Sequence, residues 1–555
     1  MSFEGLQIGR TALAGNQIAL DTIGRNIAHA NDPDYARRHV EAETLADGGI
    51  LTRVRQALSE SLDKDTMREK SNLGLYSSQQ EVMERVEGVI NELSDQDLSS
   101  ALDNFYTALE NLSLTPHDVP ARTHAIESGA KLADMFHVMA DEFIKIRQTV
   151  DQEISDTALK MNTLLTRLAG LNNEIARIEG GSLAEPAADL RDERRKLLGE
   201  FSDIMNVTIS EQSNGMVIVQ TTGRVLVSGG EAREVTVDRS SGASQLRWKS
   251  DNGPVQPASG RLAGLLKSRD QFLASRMTEL DTLARNLAWE FNKAHNTGRG
   301  LDGLREVTAE TRVDPGFLLR PLDIAEVDAF SPGRYFKPRN GILTVEVRND
   351  TTGSTDEVDL AIPLVGANKM SLEDLRQNLD QLEHLTASVD LVGRLVIKSD
   401  DGYSFFVKND TSNVAAFLGL NNFFSGNTAA SFNVKAAVQA EPRLFAAGKS
   451  AAPGDNTNMQ AMVSSRDAIV DGNLSLFRSY QNFVSTVATD TDRLKALKSN
   501  QDRILADVQQ RRQSVSGVSL DEEAADMLRY QRSYQASARF IAMQDEIMKI
   551  LMSLV

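Results

Sequence analysis

The sequence contains no cysteine among its 555 residues. This absence excludes disulfide bonds, thiolate-bound metals, iron–sulfur clusters and cysteine nucleophiles, because each of them requires a thiol. It fits chance or a reducing compartment, and it equally fits a chain that crosses unfolded into an oxidising space, where a stray thiol would be a liability. Composition alone leaves both explanations open.

Long apolar runs and an excess of basic charge are also missing. The longest uncharged run, 411–434, is interrupted by asparagine, serine and glycine, whereas a bilayer span needs about 20 mostly apolar residues. Glu4 stands where a secretory signal would carry basic residues and no apolar stretch follows, so we expect any export to occur without a cleaved signal peptide. The net charge of −18 argues against binding to nucleic acid or to an anionic membrane.

Patterns typical of catalytic or metal sites are sparse. No two of the seven histidines lie four residues apart, as a zinc-binding helix requires. The tripeptide 448–450, Gly-Lys-Ser, resembles the end of a phosphate-binding loop, but Arg443 occupies the position of that loop's first glycine. Asp490 and Asp492 resemble the start of an EF-hand loop that lacks its glycine at position six. We therefore expect no enzymatic activity, no metal and no cofactor.

Hydrophobic periodicity predicts helices at both ends of the chain and strands in the middle. The predicted fold class is α+β multidomain, with a long helical coiled coil or bundle built from both termini and the 82–180 region, and with mainly β middle domains. The predicted segments are an N-terminal axial helix with a connecting segment (1–75), a long helical bundle region (76–200), a β domain (201–260), a helical return (261–312), a β insertion domain (313–440), a second helical return (441–515) and a C-terminal axial helix (516–555).

Both terminal helices carry apolar residues at heptad spacing, which keeps one helix face apolar. In the first, Leu6, Leu13, Leu20 and Ile27 lie seven residues apart, and the second heptad position holds Ile23 and Ala30 but is interrupted at Gly9 and Asn16. In the last, steps of four and three lead from Leu520 through Ala524, Met527, Gln531, Tyr534, Ala538, Ile541, Asp545, Met548 and Met552 to Val555. A neighbouring face adds Phe540, Ile547, Leu551 and Leu554.

Such apolar stripes must be buried against something, and periodicity leaves two possibilities open. The terminal helices pair with each other or with central helices of the same chain, or they are buried between subunits that order on assembly. The candidate subunit-interface residues are Leu6, Leu13, Leu20, Ile23, Ile27, Leu520, Met527, Tyr534, Ala538, Ile541, Met548 and Met552.

The middle of the chain shows strand and turn signals. Asn214-Gly215, between apolar residues at 207–209 and 216–219, predicts a hairpin. Within 313–440, the predicted strands are 342–347, 358–362, 395–397 and 405–407.

Two terminal segments resemble signatures of the bacterial flagellar rod, hook and hook-associated protein family. Residues 26–35 resemble the NIANANTPGY-type signature, with departures at His29, Asp32 and Asp34, and residues 516–525 are similar to an SGVNLDEE signature that 530–539 continues. Internal blocks at 260–266 and 453–456 support the same assignment. The residues that carry the signatures are Asn26, Ala28, Asn31, Tyr35, Gly517, Leu520, Asp521, Glu522 and Glu523.

The resemblance implies a structural protein that joins the flagellar hook to the filament. It implies export in unfolded form through a type III secretion channel, an extracellular location and an inner tube made from the terminal helices. The implied partners are further copies of the chain, the hook protein, a second hook–filament junction protein and an export chaperone that holds the C-terminal helix. It implies neither a nucleic-acid partner nor a membrane partner.

Two other assignments remain open at this point. The hook protein shares both terminal signatures, although the helical block 82–178 argues against it because a hook protein should turn to strand soon after its N-terminal helix. A secreted coiled-coil adhesin would leave both signatures as coincidence. No residue of the 313–440 insertion indicates an enzyme.

Overall fold

The computed structural model describes residues 2–32, 34–44, 50–91, 97–180, 187–240, 242–323, 337–471 and 473–553. The chain forms two compact units. The first contains Met1–Val82, Gln148–Asp270 and Thr491–Val555, and the second contains Met83–Arg147 and Gln271–Asp490. Long helices at both ends and strands in the middle confirm the predicted α+β multidomain class.

The helices of the described residues are α1 (Ser2–Ala28), α2 (Glu60–Asn91), α3 (Leu98–Leu114), α4 (Val119–Glu179), α5 (Ala188–Ile204), α6 (Arg261–Lys267), α7 (Ala274–Asn296), α8 (Leu372–Asp380), α9 (Val414–Leu418), α10 (Ala436–Ala440), α11 (Thr457–Ser464), α12 (Leu476–Ser516) and α13 (Leu520–Ser553). A π-helical segment, Ser268–Leu273, joins α6 to α7. Helices α2, α4 and α12 contribute residues to both units. Among the described residues, we find no helix that combines the length and the hydropathy needed to cross a bilayer.

The strands are β1 (Arg38–Thr44), β2 (Ile50–Gln56), β3 (Thr208–Glu211), β4 (Val217–Thr221), β5 (Arg224–Ser228), β6 (Glu231–Ala232), β7 (Val235–Asp238), β8 (Gln245–Trp248), β9 (Glu306–Thr308), β10 (Gly341–Asn349), β11 (Thr355–Ile362), β12 (Leu385–Val389), β13 (Leu395–Ser399), β14 (Tyr403–Asp410), β15 (Phe424–Ser425), β16 (Asn433–Val434), β17 (Ile469–Asp471) and β18 (Leu474–Ser475).

The first unit contains both terminal helices, which pack against each other. The chain leaves α1 through an antiparallel hairpin, β1–β2, in a segment that sequence analysis treats only as a connection. Helix α2 then begins at Glu60, so the segment boundary predicted at 75 falls inside one helix. The seven-segment division as a whole stays a prediction.

A four-stranded sheet with the order β3-β4-β5-β6 also belongs to the first unit. Its first hairpin forms where Asn214-Gly215 predicts one, and Gly215 adopts a φ of +81°, which a glycine tolerates without strain. Asn172 of α4 attaches this sheet to the helix, because its amide nitrogen donates to Val217 O at 2.8 Å and to Gly229 O at 3.0 Å.

The second unit contains the predicted β insertion. Strands β11, β10 and β14 form one antiparallel sheet, and β12, β13 and β9 form another. All four strands predicted between 313 and 440 are confirmed, as parts of β10, β11, β13 and β14. Their inward side chains share one core with α8 and α9, which includes Leu343, Leu372 and Phe417.

Candidate functional site

The two segments that carry the signatures meet where α1 and α13 pair. Asn26 lies near the end of α1 and Glu523 near the start of α13, and both side chains are buried. The Asn26 amide nitrogen donates to Glu523 Oε2 at 2.9 Å. The helices are antiparallel, since a second pair joins Asn16 to Ser537 farther along. We call the contact between Asn26, Tyr35, Arg37, Arg38 and Glu523 the terminal lock.

Asn26 is the centre of the terminal lock because all of its hydrogen-bonding capacity is used. Its Nδ2 also donates to Arg38 O at 2.8 Å, while its Oδ1 accepts from Arg38 N–H at 3.0 Å and from the Tyr35 hydroxyl at 2.9 Å. Burial raises the pKa of Tyr35 to about 12, so this hydroxyl remains a donor at any physiological pH. A buried amide is stable in a core only when it is satisfied in this way.

Arg37 neutralises the acidic start of α13. Its Nε donates to Glu523 Oε1 at 2.7 Å and its Nη1 to Glu522 Oε2 at 2.5 Å. Burial alone would lower the pKa of Arg37, but the carboxylates of Glu523 and Glu522 raise it above its ordinary value. The backbone N–H of Arg37 donates to Ser516 O at 2.8 Å, so the last turn of α12 is tied to the same point.

A second ion-pair group extends the terminal lock to α5. Arg38 is buried, lies over the Tyr35 ring at 5.0 Å, and pairs with Asp192 and Asp189 at 2.7 Å each. Burial alone would lower the pKa of Arg38, but its hydrogen bonds to the two aspartates raise it. Neither Arg37 nor Arg38 is among the residues predicted from the sequence. Two adjacent basic residues, two and three positions after the signature tyrosine of an acidic chain, are the signal that could have identified them.

The remaining signature residues lie around the terminal lock rather than in it. Gly517 is half-buried, and a Cβ there would collide with the carbonyl oxygen of Gln513. The signature residues that are exposed are Ala28, Asn31, Leu520, Asp521 and Glu522. A groove of 550 Å³ separates the loop after α1 from the 512–519 segment, but its two arginines, Arg37 and Arg512, already pair with carboxylates. This arrangement suits a structural joint better than a ligand site.

The candidate interface residues fall into three groups. Ile23 is buried, while the half-buried candidates are Leu6, Leu13, Leu20, Ile27, Met527, Tyr534, Ile541 and Met548. Leu520 and Ala538 are exposed in the single chain, and the side chain of Met552 lies outside the described residues. Pairing within one chain therefore covers part of each apolar stripe. It does not test whether the same residues contact other subunits.

A further apolar face of α13 has no cover in the single chain. Met543 is 52% exposed, Ile547 42% and Ile550 54%. At 100° per residue these three side chains lie on the side of the helix opposite Ile541, which faces Gly9 of α1. We call Met543, Ile547 and Ile550 the outer stripe.

The motifs that resemble catalytic or metal sites have structural roles. Asp455 Oδ2 accepts from the backbone N–H groups of Lys449 and Ser450 at 2.8 and 2.6 Å, so a carboxylate of the chain occupies the anion position of that loop. Asp490 and Asp492 lie within α12 rather than in a loop. Throughout the part of the chain that the structure describes, no group of three or more His, Asp or Glu side chains is arranged to hold a metal ion.

Comparison with known proteins gives matches along the whole chain. Residues 83–308 match the family described as the flagellar hook-associated protein FlgK helical domain, and 509–554 match the C-terminal family of flagellar basal body rod FlgEFG proteins. Flagellar hook-associated protein 1 of Salmonella typhimurium is 24% identical over 98% of both chains. The Bacillus subtilis protein of that name is 24% identical over 99% of this chain and 97% of its own. The chain belongs to the flagellar hook-associated protein 1 family.

A solved structure agrees with this assignment at the level of the fold. The flagellar hook junction protein FlgK from Burkholderia pseudomallei covers 82% of this chain with a TM-score of 0.50 at 16% identity, and all of that chain is matched. Members of the hook-associated family are structural proteins of the flagellum, and this chain is a structural component of the hook–filament junction. The match at 509–554 contains Glu523 and the outer stripe.

Proposed function

We propose that this hook-associated protein is a non-enzymatic subunit that joins hook to filament by packing its terminal helices against those of neighbouring copies. The observation that carries the proposal is the outer stripe, which remains exposed after α1 has covered the opposite face of α13. A helix with apolar side chains on two opposite faces needs two partners. The chain supplies one of them.

Neighbouring copies are the partner that agrees best with this geometry. Burying a side chain such as Met543 or Ile547 stabilises an assembly by about 1–2 kcal/mol, after allowance for its existing partial burial. A contact between different surfaces of identical subunits repeats around an axis and generates a ring or a helical tube. This supports the proposal that the terminal helices line the inner tube and that the β-rich middle faces outward.

The proposal extends to delivery and to neighbours in the flagellum. We propose that the chain is exported unfolded, without a cleaved signal peptide, and that it functions outside the cell between the hook protein and a second junction protein. The outer stripe also supports a chaperone that holds α13 before export, because an exposed apolar helix face aggregates unless it is covered.

The test is genetic and begins with deletion of the gene. Electron microscopy is expected to show hooks without filaments, and the culture medium is expected to contain unassembled flagellin. Missing hooks would contradict the junction role and favour a component earlier in the axis. Normal flagella would contradict any role in the axis.

Complementation then separates the outer stripe from the rest of α13. The variant M543D/I547D places two charges on the outer stripe, and we expect the molecules that reach the culture medium not to be incorporated. The matched control is Q535D, which introduces the same residue at an exposed polar position of the same helix. Normal filaments with M543D/I547D would refute the proposed packing between copies.

A further inference from the structure

The interruptions in the heptad pattern of α1 coincide with its contacts to α13. Gly9 and Asn16 occupy the heptad position that continues through Ile23, and both break its apolar character. Gly9 is buried and Asn16 is 8% exposed, and both face α13. We propose that Gly9 and Asn16 determine the register in which α1 pairs with α13.

Gly9 forms a notch that receives one side chain of α13. A Cβ at this position would lie 2.8 Å from Cγ1 of Ile541 and 3.1 Å from Cδ1 of Phe540, both closer than ordinary van der Waals contact. The helices can therefore approach this closely only where α1 has no side chain. The notch places Ile541 at one position along α1.

Asn16 adds a polar contact that holds in one register. Its Nδ2 donates to Ser537 Oγ at 3.2 Å, and the Ser537 hydroxyl in turn donates to Ser533 O at 2.9 Å. A slip of one heptad would replace Ile541 at the Gly9 notch with Met548 in one direction or with Tyr534 in the other, because these residues lie seven positions from Ile541. Either slip would also move Ser537 about 10 Å along the axis, out of reach of the Asn16 amide. A buried polar residue that specifies the register of paired helices is the best-attested use of such a group.

The register can be measured by pulsed electron paramagnetic resonance on the full chain. Because the chain has no cysteine, spin labels at D21C and R532C, both exposed positions on the paired helices, would be its only labels. The labelled chain is expected to give one narrow distance distribution. G9L/N16L makes the heptad continuous, and we expect a second population in which the labels are displaced along the axis by about 10 Å, the rise of seven residues.

The matched control is R10L/Q17L, which introduces the same two leucines at the neighbouring exposed positions and is expected to keep the single population. If G9L/N16L loses its helical circular dichroism signal, N16L and S537A replace it in the experiment. Each of them removes one side of the polar contact without filling the notch. Each is expected to show the second population. An unchanged distribution in these variants would overturn the proposal, because the terminal lock alone would then fix the register.

A broad distribution in the labelled chain without further substitutions would also overturn the proposal. The experiment concerns pairing within one chain, so its outcome is independent of whether copies assemble through the outer stripe.

Discussion

Replacing Glu523 with alanine is expected to release the terminal helices from each other while leaving the second unit folded. Glu523 is 1% exposed, and its carboxylate accepts from Asn26 Nδ2 and from Arg37 Nε. E523A leaves a buried amide N–H without a partner and weakens the pairing of a partly buried guanidinium. Such losses destabilise because the remaining group keeps its desolvation cost but loses its acceptor.

The size of this destabilisation depends on the interactions that Arg37 keeps after the substitution. Removing one partner of a fully buried ion pair costs about 3–5 kcal/mol. Here the Arg37 side chain is 25% exposed and keeps Glu522 at 2.5 Å, so part of its charge remains compensated. We therefore expect a loss of about 2 kcal/mol in the free energy of opening the helix pair, which is about a 30-fold change in an equilibrium constant.

Hydrogen exchange measured by mass spectrometry gives this quantity directly. Peptides from α1 and from the first turns of α13 are expected to lose about 30-fold in protection, and peptides from the second unit are expected to be unchanged. E522A is the matched control, since the Glu522 side chain is 62% exposed and its ion pair contributes at most about 1 kcal/mol. Equal effects of E523A and E522A would refute the reasoning, because burial would then not distinguish the two carboxylates.

Two further predictions concern the core of the second unit. His295 is fully buried, with Ala446 N–H donating to its Nε2, and burial lowers its pKa to about 4, so the unfolded chain takes up the proton first as the pH falls. The contribution of neutral His295 to the free energy of unfolding should be complete above about pH 6.5, and it should fall by up to about 3 kcal/mol as the pH drops towards 4. Urea unfolding followed by Trp289 fluorescence in a W248F background should show this dependence of stability on pH. The same dependence in H295Q would contradict the prediction. G129A places a Cβ 2.9 Å from the Phe423 ring and should cost about 1–3 kcal/mol in the same assay, whereas unchanged stability would show that the ring can move aside.

Periodicity and turn chemistry account for most of the elements that sequence analysis predicts. The 61-residue α4 lies within the predicted helical region 82–180 and ends at Glu179, next to Gly180. The four insertion strands are rich in β-branched and aromatic residues and have turn residues at their ends, and all four form. Hairpin β1–β2 is missed because its strands alternate charged residues with few apolar ones, so its period-2 signal is weak.

The terminal lock could not be predicted, although its residues belong to the recognised signatures. An acidic run such as Asp521 to Glu523 is typical of a solvated helix start, which describes Asp521 but not the buried Glu523. Local propensity cannot distinguish them, because both carboxylates stabilise the positive end of the helix dipole. The distinction depends on Arg37, which lies 486 residues away in the chain.

The sequence separation of the two terminal helices also explains why several weak interactions hold them together. Asn26 and Glu523 are separated by 497 residues, and closing a flexible loop of that length costs about 5 kcal/mol on the (3/2)RT ln n scale, plus a constant. One buried hydrogen bond and one ion pair cannot offset that cost alone, since they contribute about 1–3 kcal/mol each. The helix pair must therefore add its apolar contacts, and these accumulate only in one register. The buried contact of Asn26 with Glu523 and the close approach at Gly9 therefore depend on each other. A slipped helix pair would separate the residues of the terminal lock. Without the terminal lock, only Gly9 and Asn16 would determine the register.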